Sequence, residues 1–185
     1  MKKYALTTIS KNVGFKTLYR IKALKDMPEI DIKRGDLGGY IEKESNLSQT
    51  GTAWISENAR IFGYARISGE AQISGNAWIS GNARISGDAR ISESAWILGN
   101  SRIDSNLDWV CTPAPKFNLT ITNAGLSIGC EFHSIDYWIA NYEKIGKSHP
   151  FTEKEIKHYF KLIQTINKMF KAQQDLKYAK GVKND

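Results

Sequence analysis

The sequence predicts a mainly β protein: a rod of short strands and corners, preceded by a β-hairpin cap and followed by an α+β module of one hairpin and two helices. Three observations carry this prediction. A strict six-residue period runs from Gly51 to Asp104, two strand-like runs flank "KNVG" near the start, and past residue 110 the apolar spacing changes to the three and four of helices.

The elements follow in order. In residues 3–24, "KYALTTISKNVGFKTLYRIKAL", apolar and polar positions partly alternate on either side of a turn, which reads as a hairpin. Its expected role is to cap the rod, because an open end of stacked strands presents unpaired backbone groups that template aggregation. The Gly-rich "KRGDLGGYIEKESNLSQ" then leads into the rod, and its spacing matches neither a Walker A loop nor a dinucleotide fingerprint.

From Gly51 the chain divides into GTAWIS, ENARIF, GYARIS, GEAQIS, GNAWIS, GNARIS, GDARIS, ESAWIL and GNSRID. The fifth position is Ile throughout, from Ile55 to Ile103, and the third is Ala except at Ser101. Before the run, "GYIEKE" and "SNLSQT" keep the spacing with Ile41 and Leu47; after it, "SNLDWV" is read as continuing it with Leu107 and Trp109. Residues two apart on a strand share a side, so Ala and Ile point inward together and the fourth and sixth positions point out. The Gly-Asn and Gly-Asp pairs supply the permissive backbone of a corner.

At the far end "CTPAP" breaks the rhythm and reads as a linker, and "NLTITNAGLSIGC" as two strands about an Asn-Ala-Gly turn. Ser134 is an N-cap for a helix with Ile135, Trp138, Ile139, Tyr142 and Ile145 on one face, stopped by Gly146. Thr152 and Glu155 form a capping box for a second helix, whose apolar face is Ile156, Tyr159, Phe160, Ile163, Ile166 and Phe170. The Lys-rich tail beyond Gln174 is expected to fray. The resulting organisation is 1–38 cap, 39–110 repeat body and 111–185 C-terminal module.

"ARISGNAWISGNARIS" resembles the hexapeptide-repeat family, and the resemblance implies a left-handed parallel β-helix of triangular section with three hexads per 18-residue coil. About four coils result. Wrapping the fourth hexad position on that coil gives three outward faces: Arg66, Arg84 and Arg102; Arg60, Trp78 and Trp96; and Trp54, Gln72 and Arg90. These cations and tryptophans are the candidate interface, since Trp and Arg are enriched at interaction hot spots and exposed apolar patches mark binding surfaces. Three readings stay open: strand-surface residues with Arg lying over Trp, a subunit interface that is trimeric by analogy with the family, and a docking face for a foreign partner.

The family's best-known members are acyltransferases that use a histidine base and bind coenzyme A between neighbouring helices. Here residues 39–110 hold no His or Cys, and His133, His149 and His158 all lie beyond them. Acyl transfer and family-type metal chemistry are therefore not expected, and no catalytic, cofactor-binding or metal residue is assigned. Cys130 and His133 in "IGCEFHS" read as a core thiol and a locally bonded imidazole, and Cys111 and Cys130 as free thiols.

The net charge of +7 divides as +4, −1 and +4 among residues 1–44, 45–110 and 111–185, which is not a continuous polyanion track. No apolar stretch approaches the roughly 18 residues of a membrane span and no signal-peptide core follows the first residues, so a cytoplasmic protein is expected. The segment "SIGCEFHSIDYW" resembles a module of uncharacterised phage and prophage proteins. That resemblance implies a phage-encoded, non-enzymatic binding protein that blocks a host defence system, as an anti-CRISPR protein does. Its expected partners are further copies of itself, as dimer or trimer, and a host protein or ribonucleoprotein, with the host cytoplasm as its setting. The alternatives are a nucleic-acid or nucleotide ligand on the Arg and Trp ladders, and an atypical hexapeptide-type acyltransferase.

Overall fold

The computed structural model describes residues 2–112, 114–129 and 131–179. The chain forms two compact units, residues 1–106 and 107–185. In the first, β1 (Tyr4–Val13) and β2 (Lys16–Ala23) make the expected hairpin about Gly14 and Phe15, and β2 pairs antiparallel with β3 (Leu37–Ile41). Nine two-residue strands follow at intervals of six: β4 (Trp54–Ile55), β5 (Arg60–Ile61), β6 (Arg66–Ile67), β7 (Gln72–Ile73), β8 (Trp78–Ile79), β9 (Arg84–Ile85), β10 (Arg90–Ile91), β11 (Trp96–Ile97) and β12 (Arg102–Ile103).

Each strand pairs in parallel with the one three strands later, giving a β-solenoid of about four turns. The sheets run β4-β7-β10, β6-β9-β12 and β1-β2-β3-β5-β8-β11. The ladder is regular: the amides of Arg60, Trp78 and Arg84 donate to the carbonyls of Ala77, Ala95 and Ser101 at 2.9, 2.8 and 2.8 Å. Inside, the Ala and Ile positions are fully buried from Ala53 to Ile103, and Ser101 meets its burial by donating its hydroxyl to the Leu98 carbonyl. Each buried Ile contributes about 1.5–3 kcal/mol relative to an exposed one.

The corner glycines adopt positive φ. At Gly87 (φ +59°) a Cβ would run into the Asp104 carbonyl one coil below, so conformation and close approach both demand Gly. Two corners do without it, using Glu57 (φ 55°) and Glu93 (φ 59°).

The hairpin caps the first coil by direct bonding. Buried Lys3 donates from Nζ to the Ala53 carbonyl at 2.7 Å and to the Gly51 carbonyl at 3.4 Å. The Tyr4 hydroxyl donates to the carbonyls of Leu47 (2.7 Å) and Glu44 (2.9 Å). Asn46, also buried, sends its amide to the Ala65 carbonyl, acting as a rung where no strand is present.

The second unit is a four-stranded antiparallel sheet, β13 (Trp109–Thr112), β14 (Leu119–Thr122), β15 (Gly125–Ile128) and β16 (Glu131–His133), with α1 (Ile135–Ser148) and α2 (Glu153–Ala179). Four expectations change here. The hexad rhythm ends at Ile103, because "SNLDWV" lacks both the Ala-x-Ile core pair and the corner glycine, and Trp109 pairs with Thr122 in the new sheet. Cys111 and Thr112 belong to that strand rather than to a linker; Pro113 lies outside the described residues.

Gly146 does not stop α1, which runs to Ser148. It is where the helices touch, since a Cβ there would meet Ile156. Beyond Gln174, α2 continues to Ala179 with Lys177 buried against Asp108, while residues 180–185 lie outside the described chain. The Ser134 cap and the Thr152–Glu155 box both form: Tyr137 N donates to Ser134 Oγ at 3.2 Å, and Thr152 N to Glu155 Oε2 at 2.7 Å.

Candidate interaction surfaces

The pairing register sorts the candidate residues into the three expected faces. On the six-stranded sheet it lines up Arg20, Tyr40, Arg60, Trp78 and Trp96 across five successive strands. Cations and rings alternate along most of this row. Arg20 donates to the Gly38 carbonyl at 2.9 Å and holds its guanidinium 5.3 Å from the Tyr40 ring centroid, with Lys11 Nζ at 4.6 Å.

Arg60 lies 5.6 Å from the Trp78 ring, Phe62 meets that ring edge-on at 5.2 Å, and Trp78 stacks on Trp96 at 5.1 Å with planes 13° apart. Both tryptophans are half-buried by their neighbours yet keep a solvent face. The Arg60 guanidinium has a buried Nε with no hydrogen-bond partner among the described residues, so its ring contact is the interaction that holds it. The arrangement gives a rigid, flat, aromatic surface edged by positive charge.

The other two faces differ from it and from each other. Arg66, Arg84 and Arg102 stand exposed in one ladder of strand partners. On the third face Arg90 is exposed and Gln72 half-buried, but Trp54 is only 3% exposed and its Nε1 has no hydrogen-bond partner among the described residues. The expected outward Trp54 is thus a packed residue. Glu29 and Ile30, from the short turn Pro28–Ile30, line one groove with Thr52, Gln72 and Arg90, so the segment before the rod lies along this face. The eight candidate residues thus divide among the three expected faces, with Trp54 buried within its own.

In the second unit the structure assembles a group the sequence reading missed. Glu131 Oε2 bonds His133 Nε2 at 2.9 Å and Glu131 Oε1 bonds His149 Nε2 at 3.0 Å, so one carboxylate links β16 to the connection between the helices. Hydrogen bonds from His133 and then His149 hold the Glu131 carboxyl below its usual range. His133 is locally bonded as expected and stacks on Tyr137 at 4.5 Å, His158 stands edge-on to Tyr159, and Cys130 lies outside the described residues. Among the described residues no group of His, Cys, Asp and Glu has the arrangement of a metal-ligand set.

Glu131 and His133 were legible as a pair, being two apart on one side of a strand. His149 arrives from another element, and no local period announces it.

Residues 71–84 and 83–99 match the family described as YdcK beta solenoid repeat. The repeats are of β-solenoid type. The match falls on the coils that carry Trp78, Arg84, Arg90 and Trp96, agrees with the observed parallel pairing, and concerns architecture rather than activity. No curated protein matches the chain. Among the described residues no helix is long and apolar enough to cross a membrane.

Proposed function

We propose that this protein is a non-enzymatic binding protein that acts by docking the outer face of its six-stranded sheet on a protein partner. The observation that supports this most is the Trp78–Trp96 stack with Arg60 over it. Large rigid rings and an Arg, already ordered by their own contacts, lose little conformational freedom on binding and form the residue set found at interface hot spots. The solenoid contributes no His or Cys to this surface, which supports a binding role over acyl transfer. The finer reading, a phage-borne inhibitor of a host defence system that self-associates in the cytoplasm, rests on sequence resemblance, and the same experiment addresses it.

That experiment compares the native chain with Trp78→Ser/Trp96→Ser in two assays: mass in solution, and capture from a bacterial lysate with and without nuclease. Loss of about 2 kcal/mol or more per hot-spot residue weakens binding roughly 30-fold or more, enough to remove the partner or dissociate the oligomer. Retention of both mass and partner by the double variant overturns the proposal. A partner lost on nuclease treatment and recovered by lowering salt would move the site to the Arg66, Arg84 and Arg102 ladder and a nucleic acid. Saturable calorimetric binding of an acyl-coenzyme A would move the reading to a transferase.

A further inference from the structure

The second unit contains a cavity of about 70 Å³ between the sheet and the two helices. Its buried wall includes Trp138 and Ile163, which are 4% and 1% exposed, and its mouth lies at Phe117, Phe151, Glu131 and His149. The wall offers little for a polar ligand. The Trp138 indole N–H is committed to the Leu126 carbonyl at 2.8 Å, and the Tyr159 hydroxyl bonds the Phe117 amide and carbonyl at 2.8 and 3.2 Å. Polar character is concentrated at the rim, in Glu131 and His149.

We infer that this cavity is a binding site for a small primary alkylammonium ion, its apolar stem in the cavity and its ammonium on the Glu131 carboxylate. Size limits the stem. The cavity exceeds the roughly 30 Å³ share of one water and is about half the roughly 150 Å³ of a dry apolar cavity that accepts benzene, so a stem of about four carbons fits better than a ring.

Charge sets the head group. Glu131 is an anion bonded by two imidazoles, each of which occupies only one of its oxygens and leaves acceptor capacity on both. Among the described residues, three titratable groups on or next to the cavity lining are engaged elsewhere. Lys116, from the loop before β14, pairs with Glu155 at 2.9 Å and donates to the Pro150 carbonyl; Tyr142 on α1 donates to Glu143; and Tyr159 on α2 is bonded as described. The Glu131 carboxyl, held below its usual range by its hydrogen bonds, brings negative charge to the rim of the cavity. A cation of the right length neutralises it beside aromatic ring faces that also favour a cation.

The test titrates n-butylammonium, butan-1-ol and n-butyrate into the full chain at neutral pH, followed by amide chemical shifts and calorimetry. Butylammonium binds at least about tenfold more tightly than butanol, as a charged hydrogen bond requires, and shifts the amides around Glu131, Trp138 and Ile163, while butyrate, of the same stem and of like charge to Glu131, binds less tightly than butanol. Glu131→Gln removes the preference for the amine, and Ile163→Phe removes binding of amine and alcohol alike by filling the cavity. Circular dichroism at 222 nm confirms that each variant is folded, and Glu131→Gln at the rim supplies the test if Ile163→Phe does not fold. Equal affinity for amine and alcohol overturns the assignment. So do an amine preference that survives Glu131→Gln and the absence of saturable shifts at the cavity.

Discussion

Lys177 offers the sharpest test of how the second unit is held together. Its Nζ lies 2.6 Å from Asp108 Oδ1, and the two side chains are only 2% and 7% exposed. The pair ties the last turn of α2 to the start of β13, where Gln173 Nε2 also donates to the Trp109 carbonyl at 3.0 Å. Removing one ion from a buried pair costs about 3–5 kcal/mol.

Lys177→Met keeps most of the apolar stem and deletes the charge, so its loss of stability reports the lost ion pair with Asp108 rather than lost packing. Asp108→Leu/Lys177→Met removes both ions and is expected to return to native stability or exceed it by about 1–4 kcal/mol, because neither desolvation penalty remains. Urea unfolding followed at 222 nm is the assay, since both helices lie in this unit. A Lys177→Met loss below about 1 kcal/mol, the worth of a surface pair, would refute the reasoning. So would a double variant no more stable than the single one.

Two further expectations concern the first unit. Burial, with Lys25 second, pulls Lys3 down to about 8 from 10.5, so above pH 8 the unfolded chain holds this proton more tightly than the folded one. Stability of the unit therefore rises between pH 8 and about pH 10, and Lys3→Met abolishes the rise. Beyond that window Tyr4, raised above its ordinary value mainly by burial, acts in the opposite sense. Chemical unfolding of both forms across the range checks the slope. At the corners, Glu93→Gly relieves left-handed strain of about 1–2 kcal/mol against a glycine entropy cost of about 0.5–1 kcal/mol, so its melting temperature rises. Glu57→Gly loses in addition the carboxylate bond to the Gly75 amide at 2.7 Å and gains nothing measurable.

The solenoid was readable because its register is arithmetic. One residue pattern of period six, wrapped at eighteen, places Arg84 on Arg66 and Trp96 on Trp78 with no further information. The hairpin and both helix caps were readable because turn and cap chemistry is local. What escaped the sequence depends on contacts between segments far apart. Trp54 looked like its repeat equivalents, but its surroundings include a non-repetitive segment that the period does not describe. Gly146 reads as a stop because a glycine's conformational freedom shows in sequence, whereas its close approach to Ile156 does not. Lys177 sat in a charged tail, and nothing local points to Asp108, 69 residues earlier. Glu131 gained its second histidine in the same long-range way.

The continuity of the hairpin with the solenoid also bears on the order in which the chain acquires structure. The β1–β2 hairpin closes over a two-residue loop, and β3 joins it from the same end of the chain. From β7 on, each rung adds to one laid down eighteen residues before, so the loop to be closed does not lengthen as the rod grows. Closure entropy per coil stays constant, and each coil completes the surface on which the next one settles. A ribosome releasing the chain from its N-terminus would present each rung after its template has formed, which makes assembly of the first unit vectorial and able to keep pace with synthesis.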